Sequence, residues 1–272
     1  GGGIGGMSSA LAIAEHGFEV FLVEKAEELG GNLKALHRTI EGDSPQELLA
    51  RTVTQVERHP NIHTYTKSRV LHSRGRVGRF RTTIEKDDGM GESLEHGVTV
   101  LATGGMEAST ESYGYGQSES IVTQHQLEEK LHSGVVNPGE LNVVTMIQCV
   151  DSREEPRNYC SRVCCSSALK NSLYLKEQNP EIDVYVLYRD IMAHGFLETY
   201  YTKARQAGVI FIQYEVGDKP RVEVANGRIA VGTKDPILDR EVMIESDLLV
   251  LSTGIVPNGQ NELAQIFGVE VD

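Results

Sequence analysis

The chain opens with the glycine-rich stretch GGGIGGM (residues 1–7), in which Gly1, Gly3 and Gly6 match the G-x-G-x-x-G spacing of a dinucleotide-binding turn. An alanine-rich segment over 8–16 follows and predicts a helix. Glycine backbone can approach a pyrophosphate closely, and the start of the helix supplies N–H donors to it. The stretch therefore predicts a dinucleotide site; a glycine turn without a ligand is the alternative. Because this motif ordinarily follows a strand, we expect the natural protein to begin before residue 1.

The segment after this helix completes a dinucleotide-binding unit. The apolar run over 19–23 predicts a strand that ends at Glu24, where such units place the carboxylate that binds a ribose hydroxyl. The pair Gly30-Gly31 follows closely. A glycine pair here is typical of FAD-binding proteins with two dinucleotide-binding domains, in which it contacts the pyrophosphate. A helix C-cap turn is the other interpretation.

The following residues predict further elements of this first domain. Ser44 as N-cap and Pro45 at the first turn indicate a helix over 44–59. Alternating apolar residues and turn residues predict the remaining elements: strands over 61–65, 70–72 and 80–84, a polar turn over 86–93, and a buried strand over 97–102.

Two predicted strands end in nearly the same motif, Ala-Thr-Gly in 97–104 and Ser-Thr-Gly in 247–254. They predict a domain inserted between two visits to the first sheet: an FAD-binding domain over 1–123, a nicotinamide-domain-like insert over 124–244, and a return segment over 245–272. The fold class is therefore α/β with two Rossmann-like domains, the second inserted in the first. The insert is predicted to contain strands and helices over 141–147, 161–178, 184–189, 197–206 and 209–213, then a meander over 221–224, 228–231 and 240–244.

The cysteines of the chain are confined to seventeen positions, at Cys149, Cys160, Cys164 and Cys165. Cys160 and Cys164 are four residues apart, so on a helix both thiols lie on one face. Cys149 follows the predicted strand directly. Four thiolates that converge from a strand end and a helix start can enclose a cubane iron–sulfur cluster.

Other interpretations of the cysteines stay open. A zinc site of four cysteines usually has two separated short pairs, a disulfide between adjacent cysteines is strained, and dithiol redox chemistry or buried structural thiols are further alternatives. Arginines near the cysteines would offset the charge of four thiolates, although each is equally well explained as a solvated side chain: Arg153, Arg157 and Arg162.

Cys149 also stands where a nicotinamide-binding domain has its phosphate-binding glycines. Without that turn, Arg189 at the end of the second strand of the insert is more simply a surface arginine than a phosphate ligand. We therefore predict that nicotinamide binding is lost.

Composition excludes several classes of protein. The net charge of −13 disfavours nucleic acid as a partner. No apolar run approaches the roughly 20 residues of a membrane span. Clustered thiols, with no signal-peptide pattern among these residues, predict a cytoplasmic, reducing setting.

Together these motifs resemble the A-type subunit of heterodisulfide reductase. The resemblance rests on the glycine stretch, Val23-Glu24-Lys25, Leu29-Gly30-Gly31 and the cysteine segment over 149–165. It implies a thioredoxin-reductase-like fold with FAD in the first domain and a non-standard [4Fe–4S] cluster held by Cys149, Cys160, Cys164 and Cys165. The cofactor-binding candidates are Gly1, Gly3, Gly5, Gly6, Glu24, Lys25, Gly30, Gly31, Val70, Thr103 and Gly104.

The chain departs from that family in two ways. It lacks the additional ferredoxin-type cysteines, some of which lie in an insertion after the glycine pair of family members. It also stops at Asp272, before a glycine-rich segment that completes the flavin site in the family. We therefore expect a core fragment.

The resemblance implies an FAD-dependent oxidoreductase subunit that passes electrons between a flavin and other subunits of a heterodisulfide-reductase-like complex; a homodimer stays open. The residues identify no acid–base catalyst. One alternative is a pyridine-nucleotide-disulfide oxidoreductase that uses a cysteine pair, and another is a non-catalytic scaffold subunit.

Overall fold

The computed structural model describes residues 1–258 and 260–270. Its helices are α1 (Ile4–Glu15), α2 (Pro45–Arg58), α3 (Gln124–His132), α4 (Cys164–Gln178), α5 (Glu198–Gln206) and α6 (Gln260–Phe267). Within those ranges no helix is both long and apolar enough to cross a membrane.

The strands, in chain order, are β1 (Val20–Val23), β2 (Ile62–Tyr65), β3 (Ser68–Arg76), β4 (Arg79–Lys86), β5 (Gly91–His96), β6 (Gly105–Glu107), β7 (Ile121–Thr123), β8 (Val143–Ile147), β9 (Asp183–Tyr188), β10 (Ile210–Gln213), β11 (Arg221–Ala225), β12 (Arg228–Asp235), β13 (Arg240–Ser246), β14 (Leu248–Leu251) and β15 (Ile255–Pro257).

The chain divides into two compact units. Unit 1 comprises Gly1–His37, Ser44–Met106 and Val256–Asp272, and unit 2 comprises Arg38–Asp43 and Glu107–Ile255. The boundaries between these units do not coincide with the predicted domain limits at 124 and 245.

Unit 1 places α1 and α2 beside the parallel pair β1-β2. Met7 of α1 and Val56 of α2 are both fully buried in its core. Ser44 caps α2 as predicted, because its Oγ accepts from the N–H of Glu47 at 3.4 Å and Pro45 occupies the first turn. An antiparallel sheet of β3, β4 and β5 completes the unit.

Two predictions for unit 1 are wrong. The residues predicted as a polar turn include half of the edge strand β5, whose alternation of polar and apolar residues is weak. The residues 97–102, predicted as a buried strand, form no strand, and the side chains of Val98 and Val100 are 70% and 52% exposed. An apolar run becomes a strand only where a neighbouring strand pairs with its backbone, and the run itself does not specify that neighbour.

Unit 2 is built on a parallel five-stranded sheet with the order β10-β9-β8-β14-β7. Its central strands β8 and β14 are almost continuously apolar and buried, as expected where both faces are covered. One face packs against α3, α4 and α5 through residues such as Val144, Met146 and Leu169. The other face packs against the antiparallel meander β11-β12-β13 through residues such as Ile147, Ile229 and Leu251.

The strand β14 lies in this second sheet, between β8 and β7, and not in the first sheet as predicted. The prediction used the resemblance of its end, Ser-Thr-Gly, to the end of 97–104. The two copies of the motif do not end equivalent strands, because the first follows residues that form no strand, so the motif does not say to which sheet β14 adds. The register fixes the placement: Leu249 and Leu251 lie opposite Thr145 and Ile147.

Candidate functional site

The glycine-rich turn of unit 1 has an open side at Gly3. Gly3 is the N-cap of α1 in extended backbone (φ −74°, ψ 178°), and no side chain caps this helix. A Cβ on Gly3 would meet only the Cα of Gly31, at 3.9 Å. By contrast, a Cβ on Gly1 or Gly6 would collide with a backbone carbonyl oxygen. Gly1 and Gly6 are thus required by packing, whereas Gly3 leaves room for a ligand beside the free N–H groups of the helix start.

The pair Gly30-Gly31 lies directly against this turn. The N–H of Gly30 donates to the carbonyl oxygen of Gly2 at 2.8 Å, and both glycines have positive φ (126° and 52°). A Cβ on Gly31 would stand 3.0 Å from the Cα of Gly3. The structure therefore brings together the two glycine motifs that the sequence separates by more than twenty residues.

Glu24, at the end of β1, turns its carboxylate toward the same turn. Its Oε2 accepts from the N–H of Gly2, and its Oε1 accepts from the N–H of Ala26 at 2.7 Å. A carboxylate offers about four acceptor positions, so Glu24 retains capacity for a ribose hydroxyl. The carbonyl oxygen of Glu24 accepts from the N–H of Ser68, which places the half-buried Val70 two residues further along β3.

The remaining candidates of unit 1 lie around the turn in different ways. Gly5 is exposed in the first turn of α1, and the side chain of Lys25 is exposed. Thr103 and Gly104 are held by Asn258, whose side-chain amide donates to the carbonyl oxygen of Thr103 at 3.2 Å and whose N–H donates to that of Gly104 at 3.1 Å.

Sequence reasoning missed two asparagines of unit 1. Besides Asn258, the side-chain amide of Asn32 donates to the carbonyl oxygen of Gly105 at 2.7 Å. Two signals in the sequence could have indicated them: Asn32 directly follows the glycine pair, and Asn258 follows Val256-Pro257.

The glycine-rich turn of unit 1 as a whole suits a dinucleotide such as FAD. It combines room at Gly3, uncapped N–H groups and a carboxylate at the end of a strand.

The cysteine segment of unit 2 begins at the carboxyl end of β8 and ends in α4. Cys149, Asp151 and Arg153 adopt positive φ (58°, 47° and 63°), which is uncommon for residues other than glycine. This conformation turns the chain sharply in the place of a glycine loop. Cys164 and Cys165 form the first turn of α4, whose N-cap makes no side-chain hydrogen bond. The segment therefore lies where a Rossmann-like unit binds its ligand, between β8 and β14 at the switch of strand order.

The cysteine thiols influence one another electrostatically. Burial, followed by repulsion from the thiolates of Cys165, Cys149 and Cys160, raises the pKa of Cys164 to about 12. Burial also raises the pKa of Cys165 to about 11 and that of Cys149 above its usual value. Ionisation of Cys149, Cys164 and Cys165 is thus favoured by positive charge among them, which iron would supply.

Several N–H groups and one arginine face the sulfur atoms. A guanidinium nitrogen of Arg153 lies 4.0 Å from the Sγ of Cys149, and the N–H of Arg162 donates to the Sγ of Cys160 at 3.4 Å. Backbone N–H groups of Gly254 and Met192 donate to Cys164 and Cys165 and lower their pKa values against the effect of burial. These donors and the four thiols suit an anionic iron–sulfur group.

The arginines have different roles. Arg153 pairs with Asp190 at 2.7 Å, and Arg157 donates to the carbonyl oxygen of Thr253 at 3.1 Å. The side chain of Arg162 is exposed. Arg189 donates to the carbonyl oxygen of Ser152 at 3.3 Å. Arg189 therefore supports the cysteine loop, a role that its prediction as a surface arginine did not include.

Within the described ranges, no group of three or more His, Cys, Asp or Glu side chains is arranged as the ligands of a metal ion. Ligation of a cluster by the four cysteines stays a prediction.

A cavity of about 270 Å³ adjoins the cysteine loop. Its lining includes Tyr113, Cys149, Arg189 and Tyr214. Burial, and then the charges of Asp151 and Glu154, raises the pKa of Tyr113 to about 12, so its hydroxyl is neutral and can donate. Neither tyrosine was indicated by the sequence, since each comes from a loop far from the cysteines along the chain.

Comparisons with a family model and with solved structures support the predicted fold class. A model of the NAD(P)-binding Rossmann-like domain matches residues 1–69. Among solved structures, the thioredoxin reductase of T. acidophilum superposes with a TM-score of 0.65 at 16% identity, over 100% of this chain and 80% of that chain. The protein thus has the predicted fold of flavoproteins with two dinucleotide-binding domains, of the thioredoxin-reductase type.

Curated relatives show which group of proteins the chain resembles in sequence. The chain is 29% identical to an A-type iron-sulfur subunit of the CoB–CoM heterodisulfide reductase of Methanopyrus kandleri, over 99% of this chain and 55% of the relative. It is 28% identical to the corresponding subunit of Methanocaldococcus jannaschii, over 100% of this chain and 55% of the relative. The chain is therefore a homologue of the A-type heterodisulfide reductase subunits, and this confirms the resemblance predicted from its glycines and cysteines.

The chain spans about half the length of these relatives. The alignment with the first extends over 372 positions, although the chain has 272 residues, so the relative carries additional residues within the aligned region.

Proposed function

We propose that this protein is an electron-transfer subunit of a heterodisulfide-reductase-like oxidoreductase, in which unit 1 binds FAD and unit 2 binds a [4Fe–4S] cluster. The observation that carries the proposal is a segment with four electrostatically interacting cysteine thiols at the ligand-binding edge of a Rossmann-like sheet, where glycines would otherwise bind a phosphate.

The flavin would supply two-electron chemistry when it is bound in unit 1. The residues of the chain position it. The backbone N–H groups at the start of α1 would bind its pyrophosphate, and Gly3 leaves the space for that contact. The carboxylate of Glu24 would bind a ribose hydroxyl with the acceptor positions that Gly2 and Ala26 leave free. Gly30 and Gly31, which lie against the glycine-rich turn, would form the second wall of the site.

The cluster would supply one-electron transfer, and its ligands would be Cys149, Cys160, Cys164 and Cys165. Arg153 offsets part of the thiolate charge at Cys149, and Asp190 holds this arginine in place. The N–H groups that face Cys160, Cys164 and Cys165 are fixed by the backbone, so they would stabilise thiolate charge without rearranging.

Other subunits are the proposed partners for electrons. The names of the curated relatives denote one iron-sulfur subunit of a heterodisulfide reductase. In this chain Cys149 takes the place of the phosphate-binding glycines, so we propose that reducing equivalents reach the flavin from another protein and not from a nicotinamide. The clustered thiols suit a reducing, cytoplasmic setting.

The test is the composition of the full-length protein purified without oxygen. We expect bound FAD and no fewer than about four irons and about four inorganic sulfides per chain, with a broad visible absorption that bleaches on reduction. A protein with flavin but no iron, and with two titratable thiols that form a disulfide, would instead identify the dithiol oxidoreductase. Protein with neither cofactor nor redox-active thiols would identify the scaffold subunit.

A further inference from the structure

Three buried polar side chains beside the cysteine loop make no hydrogen bond within the described residues. They are Gln148 at the end of β8 and Ser252 and Thr253 at the end of β14, each at most 1% exposed. Both amide atoms of Gln148 are unpartnered. A buried polar group without a partner costs about 1–3 kcal/mol, so such groups indicate a missing partner.

The backbone around Gln148 is, in contrast, fully bonded. Its N–H donates to the carbonyl oxygen of Leu187 at 2.9 Å, and its own carbonyl oxygen accepts from the hydroxyl of Tyr214 at 2.6 Å. The neighbouring N–H of Val150 donates to the carbonyl oxygen of Ser252 at 3.0 Å. The side chain of Gln148 is thus held on a rigid frame, and its two amide atoms alone are left without partners.

The alternation of the strands shows which face these side chains occupy. Val144 and Met146 of β8 belong to the core on the helix side, as does Val250 of β14. Side chains two residues apart point to the same face of a sheet. Gln148 and Ser252 therefore continue this face beyond the apolar core, toward the first turn of α4.

That first turn contains Cys164 and Cys165, and Cys149 follows Gln148 directly. The surroundings combine amide and hydroxyl donors with thiols. Sulfur atoms of a cluster accept hydrogen bonds, and such bonds help to set its reduction potential. Water is the alternative partner of these groups, and a water partner would leave the cluster potential independent of them.

We infer that Gln148 and Ser252 are positioning residues whose amide N–H and hydroxyl donate to sulfur atoms of the cluster and raise its reduction potential. This inference rests on the proposed function. Such donors stabilise the reduced cluster more than the oxidised one because reduction adds negative charge to the sulfur atoms. The donors also explain why two polar residues stand unpartnered at the edge of an apolar core.

The test uses the full-length protein with its cofactors, purified without oxygen. Gln148→Leu removes the amide at similar volume, and Ser252→Ala removes the hydroxyl. The matched control is Thr233→Val, which removes another buried, unpartnered hydroxyl from β12 of the meander, on the opposite face of the sheet from Val144 and Met146. Iron content is measured first, and the cluster potential is then measured by redox titration followed by electron paramagnetic resonance.

We expect full iron content, a more negative midpoint potential in Gln148→Leu and in Ser252→Ala, and an unchanged potential in Thr233→Val. After iron removal, Gln148→Leu should unfold at a higher denaturant concentration than the unsubstituted protein, since the unpartnered amide is gone. Potentials equal to that of the unsubstituted protein in both variants would overturn the inference and leave the proposed function standing. Absence of iron from the unsubstituted protein would overturn both.

Discussion

The substitution Gly3→Val separates the ligand-binding role of the glycine turn from its role in packing. A side chain at Gly3 would enter open space, with the Cα of Gly31 as its nearest neighbour at 3.9 Å. Gly3 has extended backbone that any residue adopts. Valine is a poorer N-cap than glycine, but it restricts the unfolded chain, so we expect the free energy of unfolding to change by no more than about 1 kcal/mol.

The effect on FAD affinity should be much larger. A valine side chain would occupy the space through which the pyrophosphate approaches the N–H groups of α1. Each hydrogen bond to a charged group contributes about 1.5–3 kcal/mol. The loss of two such bonds therefore predicts a dissociation constant about 100- to 10,000-fold higher, since 1.4 kcal/mol corresponds to a factor of ten.

Equilibrium titration of the full-length protein with FAD, followed by flavin fluorescence, measures this change, and urea unfolding measures stability. Ala12→Val is the matched control, because it adds the same branched side chain at an exposed position of α1. Gly6→Ala should instead lose stability, since its Cβ would collide with the carbonyl oxygen of Gly1. A Gly3→Val protein that binds FAD within threefold of the unsubstituted affinity would refute the reasoning.

Three further predictions concern stability and specificity. Lys170→Met should cost about 3–5 kcal/mol of stability, because it removes the ammonium that lies 2.5 Å from the buried carboxylate of Glu128; urea unfolding should show recovery when Glu128→Leu is added. Although partial burial raises the pKa of Asp247, N–H donors of Asn142 and Val143 lower it overall. The resulting stabilisation is present above the ordinary pKa of 3.8 and is lost as pH falls through the lower pKa of the folded state. In urea unfolding, Asp247→Ala should therefore cost about 1 kcal/mol at pH 7 and less at pH 3. Titration with NADH or NADPH should show no saturable binding at micromolar concentration; flavin reduction by either would contradict this.

The elements around the glycine turn could be predicted because local rules determine them. Ser44 and Pro45 mark the start of α2 through capping chemistry, and the predicted strand ending at Glu24 is β1. The alternation of strands and helices between β8 and β10 was equally regular, and the predicted boundaries lie within a few residues of the observed ones.

The wrong predictions concern segments whose structure depends on pairing with strands that are distant in the sequence. The residues 97–102 have the composition of a buried strand but pair with none within the described ranges. The strand β14 was identified correctly as a strand, yet its sheet depended on pairing with β8, more than 100 residues away in sequence. Nothing in a local pattern encodes such a partner.

The candidate site, too, could be predicted from the sequence only in part. The four cysteines and the glycine motifs were visible because their residue types and spacing carry the chemistry. The unpartnered amide of Gln148 and the hydroxyl of Ser252 were not, since their significance comes from burial without a hydrogen bond, which depends on the three-dimensional fold.

The most direct test of the central claim is the iron content of single cysteine variants. Cys149→Ala, Cys160→Ala, Cys164→Ala and Cys165→Ala would be purified without oxygen beside the unsubstituted protein, with Thr233→Val as the control for a buried substitution elsewhere in unit 2. The account predicts that each cysteine variant loses about four irons per chain and the cluster's broad visible absorption, relative to the unsubstituted protein and the control. Full iron content in any two of the four cysteine variants would contradict the account.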